Sequence, residues 1–309
     1  MCRPSIGSMS RLITASIRSG DLLDHYRLED LVATGGMASI FRATDTNTGR
    51  PVAVKVSHPE KPGDRLALER FRYEIEISGK FDHPGLVKML PNSGANDRYA
   101  VMEWVDGQLL REIIDEQGRV PVERAIRITL AICDALEYIH DHGVVHGDLK
   151  PDNVLVCAED NIKLIDFGIA CETKVNVWGR VKPGEATGTP GYVSPEQIKG
   201  KPGDARSDVY SLGIILFEML TGEVPFSGVD PVTAMNLRLW VDPPLLREIS
   251  PDISPRLQVI VHRALARERA NRYANAREFA SNLSDSLAQG GGAAPGITCQ
   301  LLRTGLSAD

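Results

Sequence analysis

His146-Gly147-Asp148-Leu149-Lys150-Pro151-Asp152-Asn153 is the stretch of this sequence that decides its fold. It places an imidazole, two carboxylates, an ammonium and a carboxamide within a few positions. The apolar runs Val144-Val145 and Val154-Leu155-Val156 flank it, which predicts a loop held between two short buried strands. Such a loop positions reactive groups on a rigid base. An ordinary polar turn would explain the Pro and the Asn, but not a Lys two residues after an Asp.

Length and composition limit what this loop belongs to. A chain of 309 residues can bury a substantial core and favours two lobes or domains. A net charge of -6 argues against nucleic acid or a strongly anionic membrane surface as the main partner. No apolar run approaches the roughly 20 residues that a membrane helix needs. The cysteines are odd in number and lack CxxC spacing, which favours a reducing, cytoplasmic setting over disulfides or a zinc site: Cys2, Cys133, Cys157, Cys171 and Cys299.

Both ends of the chain are predicted to lie outside the folded part. Residues 1–23 are expected to be a disordered leader. Arg-rich and Ser-rich sequence at its start superficially matches a transit peptide, but Met9 is another possible initiator. Residues 288–309 contain the glycine-rich run Gly290-Gly291-Gly292 and read as a flexible linker with a short tail.

The first third of the folded part has the pattern of an antiparallel sheet. Apolar and polar residues alternate between residues 25 and 56, and two further strands are expected at residues 86–90 and 99–103. The hairpin tip Ala33-Thr34-Gly35-Gly36-Met37-Ala38 could close its backbone N–H groups on an anion, although an ordinary glycine-rich turn fits equally well. A helix from about residue 65 leaves Glu74 beside its buried stripe, where a carboxylate needs a partner.

After the hinge-like segment Trp104-Val105-Asp106-Gly107, the pattern becomes mainly helical. His140 and His142 fit the end of a long helix better than a metal site, because acids and cysteines are missing at suitable spacing. Helices are predicted at residues 122–140, 194–199, 204–220, 231–239, 255–266 and 274–287.

Together with four further motifs, the loop resembles the signature set of a Ser/Thr protein kinase domain, of the eukaryotic-like type found in bacteria. The resemblance covers residues 24–287. These motifs are Val52-Ala53-Val54-Lys55, Leu164-Ile165-Asp166-Phe167-Gly168, Gly188-Thr189-Pro190-Gly191-Tyr192-Val193-Ser194-Pro195-Glu196 and Ser207-Asp208-Val209-Tyr210-Ser211-Leu212-Gly213.

The resemblance implies an α+β fold with two lobes. The N-lobe, residues 24–106, would be a small five-stranded antiparallel sheet with one helix. The C-lobe, residues 107–287, would be larger and mainly helical. Function would be transfer of the γ-phosphoryl group of ATP to Ser or Thr hydroxyls of protein substrates, with autophosphorylation.

The resemblance also implies how ATP is held. Lys55 would bind its α and β phosphates and pair with Glu74, with Glu76 as the alternative partner. An ammonium suits this role because it neutralises phosphate while its stem packs in the sheet. The nucleotide pocket would be lined by Ala33, Gly35, Gly36, Ala38, Ile40, Ala53, Glu103 and Val105.

In the central loop, Asp148 would be the catalytic base, whose value is mostly positional because an unperturbed Asp is a weak base for an alcohol. Lys150 would steady the γ phosphate. Asn153 and Asp166 would hold Mg²⁺, which prefers oxygen ligands. Together these groups stabilise negative charge on the phosphoryl group in transfer.

Three structural roles are also implied. Thr189 would bridge the catalytic Asp and Lys, Glu196 would form a buried ion pair with Arg272, and Asp208 would brace the central loop through its backbone. Ser194, where the family usually has Ala, is expected to be harmless.

The sequence departs from the family pattern at the central loop, where Gly147 replaces an Arg that clasps an activation-segment phosphate. Charge-assisted hydrogen bonds contribute about 1.5 to 3 kcal/mol each, so phosphorylation of Thr187 or a neighbour loses a major contact. We expect reduced dependence on activation-segment phosphorylation.

Ala33 and Ala38 replace two glycines of the phosphate hairpin, at a cost of roughly 1 to 2 kcal/mol if a positive φ is needed. Tyr210 replaces the commoner Trp, a change that we expect to be neutral for packing.

Two other functions fit parts of the sequence. The Gly-Asp pair in the central loop also resembles small-molecule phosphotransferases, but the long segment ending at Glu196 favours protein substrates. A non-enzymatic scaffold would explain the altered hairpin, but not the complete set of Lys55, Asp148, Asn153 and Asp166.

Overall fold

The structure is a computed structural model that describes residues 17–35, 38–58, 65–91, 98–166, 171–172 and 191–290. Its strands and helices form a small lobe built on a sheet and a larger helical lobe. None of the helices in this described part of the chain has the length and apolar character that crossing a membrane requires.

The small lobe is an antiparallel sheet of five strands paired in sequence order. Alternate side chains point into a compact apolar core because successive residues of a strand face opposite sides. Its strands are β1 (Leu22–Leu23), β2 (Tyr26–Thr34), β3 (Ala38–Asp45), β4 (Pro51–Ser57) and β5 (Tyr99–Glu103). The five-stranded sheet is therefore confirmed, but its membership differs from the prediction.

Residues 86–90 do not form the regular strand that we predicted. They make isolated bridges instead, between Met89 and Met102 and between Leu86 and Leu164. The fifth strand is β1, which we had placed in the leader. It is fixed by backbone bonds from Leu28 N to Asp21 O and from Gly20 N to Leu28 O, which a two-residue pattern cannot reveal. The proposed boundaries of leader, lobes and tail stay predictions, with strand structure beginning at Leu22.

The helix α1 (Arg65–Ser78) lies between β4 and β5 in the chain, and its Ile77 packs into the core of the larger lobe. Phe71 and Ile77 are buried on one face. Glu76 lies on the opposite, exposed face, where it pairs with Lys80 at the next turn.

The larger lobe is organised around α5, whose residues from Ser207 to Thr221 are all buried. A helix that is apolar around its circumference belongs at the centre of a core. Asp204 caps its first turn, and Gly222 ends it in a left-handed conformation. The helices of this lobe are α2 (Leu110–Gln117), α3 (Val122–Asp141), α4 (Pro195–Ile198), α5 (Ala205–Thr221), α6 (Pro231–Trp240), α7 (Leu246–Ile249), α8 (Pro255–Ala264) and α9 (Ala276–Gly290).

All six predicted helices of this lobe are present, with ends that differ by a few residues. The prediction missed α2 and α7, which are short. α2 buries Leu110, Ile113 and Ile114, so its stability comes from packing rather than length.

Two small sheets hold the central loop in place. One joins β6 (Gln108–Leu109), β8 (Val154–Val156) and β9 (Ile162–Leu164), and the other pairs β7 (Val144–Val145) with β10 (Cys171–Glu172). The loop therefore runs between β7 and β8, as predicted.

Candidate active site

The central loop is anchored from below by Asp208, in the first turn of α5. Its carboxylate accepts hydrogen bonds from the backbone N–H groups of His146 and Gly147, each at 2.9 Å. His140 Nε2 lies 2.7 Å from the same carboxylate, so this histidine serves the loop rather than a metal. Burial acts to raise the pKa of Asp208, but the bonds from His140 and the backbone outweigh it and lower the pKa. A charged, buried carboxylate thus fixes the start of the loop.

Asp148 follows this anchor and lies near Asp166, which contacts Lys55 of the small lobe; we call this junction between the two lobes the cleft. The Asp148 side chain is half-buried, and burial raises its pKa even though Lys150 Nζ lies 3.1 Å from Oδ2. Asn153 Nδ2 donates to the backbone oxygen of Asp148 at 2.9 Å. The side-chain oxygen of Asn153 therefore remains the acceptor that a cation could use.

Lys55 connects three parts of the chain that are distant in sequence. Its Nζ lies 2.5 Å from Glu74 Oε1 on α1 and 3.1 Å from Asp166 Oδ1, just beyond β9. The pairing with Glu74 agrees with the preferred prediction, and the alternative through Glu76 is wrong because that side chain is exposed and pairs with Lys80.

Two carboxylates share the single ammonium of Lys55, so their charges compete. Burial raises the pKa of Glu74 above its ordinary value, in spite of Lys55. Burial also acts to raise the pKa of Asp166, but Lys55 and a hydrogen bond from Glu74 outweigh it and lower this pKa. Asp166 is the more exposed of the two, with 38% of its side chain accessible, and is the one held ionised toward the cleft.

Most residues of the predicted nucleotide pocket lie within the described part of the chain. Ala33 pairs with Ile40 across the hairpin, and Gly35 N donates to Ala38 O at 2.9 Å. Ala33 and Ala38 lie in β2 and β3, whose extended backbone Ala adopts without strain, so their substitution for glycine costs little. Ala53 lies half-buried on β4. Gly36 lies outside the described residues.

The hinge residues Glu103 and Val105 are both half-buried. The Glu103 side chain accepts a hydrogen bond from Lys163 Nζ at 2.5 Å and one from Lys88 N at 3.0 Å. Its carboxylate thus joins the small lobe to β9. The sequence reasoning did not find Lys163, since a lone Lys in a strand carries no motif.

Glu196 and Arg272 form the predicted buried pair. Both guanidinium Nη atoms lie 2.8 Å from the two carboxylate oxygens, and the Arg272 side chain is 0% exposed. Ser207 Oγ donates to the same carboxylate at 2.6 Å. Burial acts to raise the pKa of Glu196, but the bonds from Arg272 outweigh it and lower this pKa. Tyr210, read as neutral packing, lies with its ring 4.6 Å from the guanidinium carbon.

A second polar network was missed. Glu218 on α5 accepts from Tyr192 Oη and from Arg111 Nη1, each at 2.7 Å. It ties α2 to the segment that precedes α4. The residues lie far apart in sequence, so no local pattern could show it. Phe167, Gly168, Thr187 and Thr189 lie outside the described residues.

Comparison with known proteins agrees with this geometry. The family profile described as "Protein kinase domain" matches residues 26–282. A probable serine/threonine-protein kinase PknB of Corynebacterium glutamicum is 35% identical over 271 residues, which are 85% of this chain and 42% of the relative. The serine/threonine-protein kinase PknB of Mycolicibacterium smegmatis is 38% identical over 267 residues, 85% of this chain and 43% of the relative. The chain thus spans less than half the length of these relatives.

A solved structure shows the same architecture. The crystal structure of the Mycobacterium tuberculosis PknI kinase domain aligns with a TM-score of 0.67 at 26% identity, covering 87% of this chain and 99% of that one. The two-lobed protein kinase fold is therefore confirmed. On these similarities and the motifs described above, the chain belongs to the protein kinase family, among the eukaryotic-like Ser/Thr protein kinases of bacteria.

Proposed function

We propose that this chain is a protein-serine/threonine kinase that transfers the γ-phosphoryl group of Mg-ATP to Ser and Thr hydroxyls of protein substrates. The observation that carries the proposal is the meeting of Lys55, Glu74 and Asp166 through direct contacts, in a chain whose anchored central loop presents Asp148. Protein kinases as a family use ATP and Mg²⁺, and a phosphotransferase needs this combination of cation, proton acceptor and oxygen ligands.

Asp148 accepts or orients the proton of the substrate hydroxyl. Burial raises the pKa of this carboxyl, which brings it closer to the pH at which a general base is most effective. Lys150, within contact of Asp148, is placed to turn toward a γ phosphate and offset its charge.

Lys55 binds the α and β phosphates in the proposed complex. Its ammonium remains protonated because Glu74 and Asp166 raise its pKa, although burial opposes this. Glu74 holds the ammonium in position from α1, so the pair depends on the placement of that helix.

The oxygen donors of Asp166 and Asn153 fit Mg²⁺. Asp166 is held ionised, and the amide nitrogen of Asn153 is engaged by the Asp148 carbonyl, so an oxygen is available on each side chain. When bound, Mg²⁺ would neutralise phosphate charge. With only two protein ligands, the ion would share its coordination with the phosphates of the nucleotide.

Incubation of the purified chain with Mg²⁺, γ-labelled ATP and a basic protein tests the proposal, beside an Asp148→Asn control. We expect label on Ser and Thr of the added protein and of the chain itself, lost in the control. Label on an added sugar or amino alcohol instead would favour a small-molecule phosphotransferase. Nucleotide binding without transfer in the wild type would favour a scaffold.

We propose further that activation depends weakly on phosphorylation of the activation segment. Support comes from Gly147, which has no side chain to clasp a phosphate and adopts a φ of 77°. Thr187→Ala should then keep most of the activity, and a collapse would contradict this.

A cytoplasmic setting is also part of the proposal. The odd number of cysteines and the lack of CxxC spacing support it, and Cys133 and Cys157 lie unbridged in the described part of the chain. Proteins are the proposed partners, with no role for nucleic acid, and the oligomeric state is left open.

A further inference from the structure

The side chain of Gln197 joins the end of the activation segment to the central loop. Its Oε1 accepts hydrogen bonds from Ser194 N at 3.0 Å and Ser194 Oγ at 2.7 Å. Its Nε2 donates to the backbone oxygen of Gly147 at 2.8 Å. The partners determine which way the amide points, because a backbone N–H needs an acceptor and a carbonyl needs a donor.

This link is buried, and the residues at both of its ends belong to the described part of the chain. Gln197 is 7% exposed and Ser194 is 0% exposed. Water therefore competes poorly for these bonds, and losing one of them leaves a buried polar group without its partner.

A capping role explains only half of the Gln197 contacts. Ser194 is the N-cap of α4 and Gln197 is its third residue, the arrangement of a capping box. That role uses the side-chain oxygen alone, and Glu performs it as well as Gln does. The bond from Nε2 to Gly147 is not needed by the helix, and only an amide can make it.

The bond to Gly147 acts on the peptide that leads into Asp148. The N–H of Gly147 is already held by Asp208, at 2.9 Å. Its carbonyl belongs to the next peptide group, which is planar and includes the nitrogen and the Cα of Asp148. Gly147 has a φ of 77°, in the left-handed region. Asp208 holds its N–H and Gln197 holds its carbonyl in this conformation.

We propose that Gln197 is a positioning residue for Asp148, which ties the catalytic loop to the end of the activation segment through an uncharged amide. The link needs neither a phosphate nor an arginine at position 147. This inference rests on the proposed kinase function, since the group that it positions is the proposed catalytic base.

Gln197→Glu separates the two roles of the side chain. The carboxylate can still accept from Ser194 and cap α4, but it cannot donate to Gly147 and places an oxygen against that carbonyl. We expect kcat for peptide phosphorylation to fall about tenfold, the effect of one orienting hydrogen bond. The KM for ATP should change less than about twofold, because Lys55 and Asp166 do not contact Gln197.

Glu248→Gln is the matched control. Glu248 is the third residue of α7 and accepts from Leu245 N at 3.2 Å, so the exchange of Glu and Gln occurs in a capping box far from the loop. This variant should keep both kcat and Tm. Gln197→Met removes the donor without adding charge, but it also removes the acceptor that caps α4, so its Tm should fall. Its kcat should fall at least as far as that of Gln197→Glu, and a kcat equal to that of the wild type would overturn the inference.

Amide hydrogen exchange tests the bond between Gln197 and Gly147 independently of catalysis. Peptides covering residues 144–150 should exchange faster in Gln197→Glu than in the wild type, while peptides from β4 and β5 stay unchanged. If the wild type transfers no phosphoryl group, the proposed function fails and this measurement still decides on the link. Unchanged hydrogen exchange in residues 144–150 overturns the inference, and so does an unchanged kcat. A fall in kcat that is accompanied by a lower Tm and a higher KM for ATP also overturns it, because it would reflect a general loss of structure.

Discussion

Two buried ion pairs in this protein have similar composition but different surroundings. In the C-lobe, Arg272 uses every N–H donor: two bonds to Glu196 and one each to the carbonyls of Ala266, Arg206 and Arg267. In the cleft, Lys55 is shared between Glu74 and Asp166, and the latter carboxylate is exposed enough to meet a ligand.

The difference separates a structural ion pair, which we call the brace, from an ion pair in the proposed active site. A planar guanidinium with all donors satisfied has one arrangement, and disturbing it leaves a buried charge. The ammonium of Lys55 has no such complete set of partners, and a phosphate could take the place of Asp166 while Glu74 keeps the ammonium in position. The pair in the C-lobe should therefore control stability, and the pair in the cleft should control activity.

Glu196→Gln tests the brace and should give the largest change. It leaves the buried Arg272 charge without its counter-ion, at a cost of about 3 to 5 kcal/mol in the free energy of unfolding. Thermal denaturation should show Tm falling by roughly 10 °C. A change below about 2 °C would show that the carbonyl contacts alone support the guanidinium.

Lys55→Met tests the cleft. We expect phosphoryl transfer to fall by about 10²- to 10³-fold, because a preorganised positive charge is lost from the phosphate site. The free energy of unfolding should fall less than in Glu196→Gln, since Asp166 is partly solvated and Glu74 can take up a proton. Steady-state kinetics and urea denaturation measure the two quantities. Loss of stability equal to that of Glu196→Gln would contradict the distinction.

The two glutamates should also differ in the sign of their pH dependence. The pKa of Glu196 is lowered, so its stabilisation is complete above the ordinary glutamate pKa and is lost as pH falls through the lowered value. The pKa of Glu74 is raised, so its contribution decreases as pH rises above that ordinary value. In the absence of nucleotide, Glu74→Gln should gain about 1 kcal/mol relative to the wild type between pH 5 and pH 8. Urea denaturation at both pH values checks this, and a relative loss would reverse the assignment.

Asp285→Ala supplies the smallest expected effect. Asp285 lies 3.9 Å from Arg256 at the surface, and 66% of the Asp285 side chain is exposed. The free energy of unfolding should change by less than about 0.5 kcal/mol, because solvent and salt screen such pairs. A larger change would show that ion pairs in this lobe contribute to stability irrespective of burial.

The sequence by itself determined the parts of this protein that depend on short-range pattern. Alternation predicted the hairpins of the small lobe, and the 3.6-residue period predicted the long helices. The proposed roles of Lys55, Glu74, Asp148, Asn153 and Asp166 came instead from the resemblance of the motifs to those of a kinase family. Each of these signals lies within a window of a few residues, where side-chain spacing reflects one element. The buried pair of Glu196 and Arg272 was reached through family resemblance rather than spacing.

Only the tertiary structure decided which distant groups meet. Strand β1 is fixed by backbone bonds to β2, and residues 86–90 form bridges because their partners lie on β5 and β9. Lys163 with Glu103, and Gln197 with Gly147, are joined across 60 and 50 residues of chain. The physical reason is that a hydrogen bond depends on distance and direction between two atoms, and local sequence carries neither for residues that packing alone brings together.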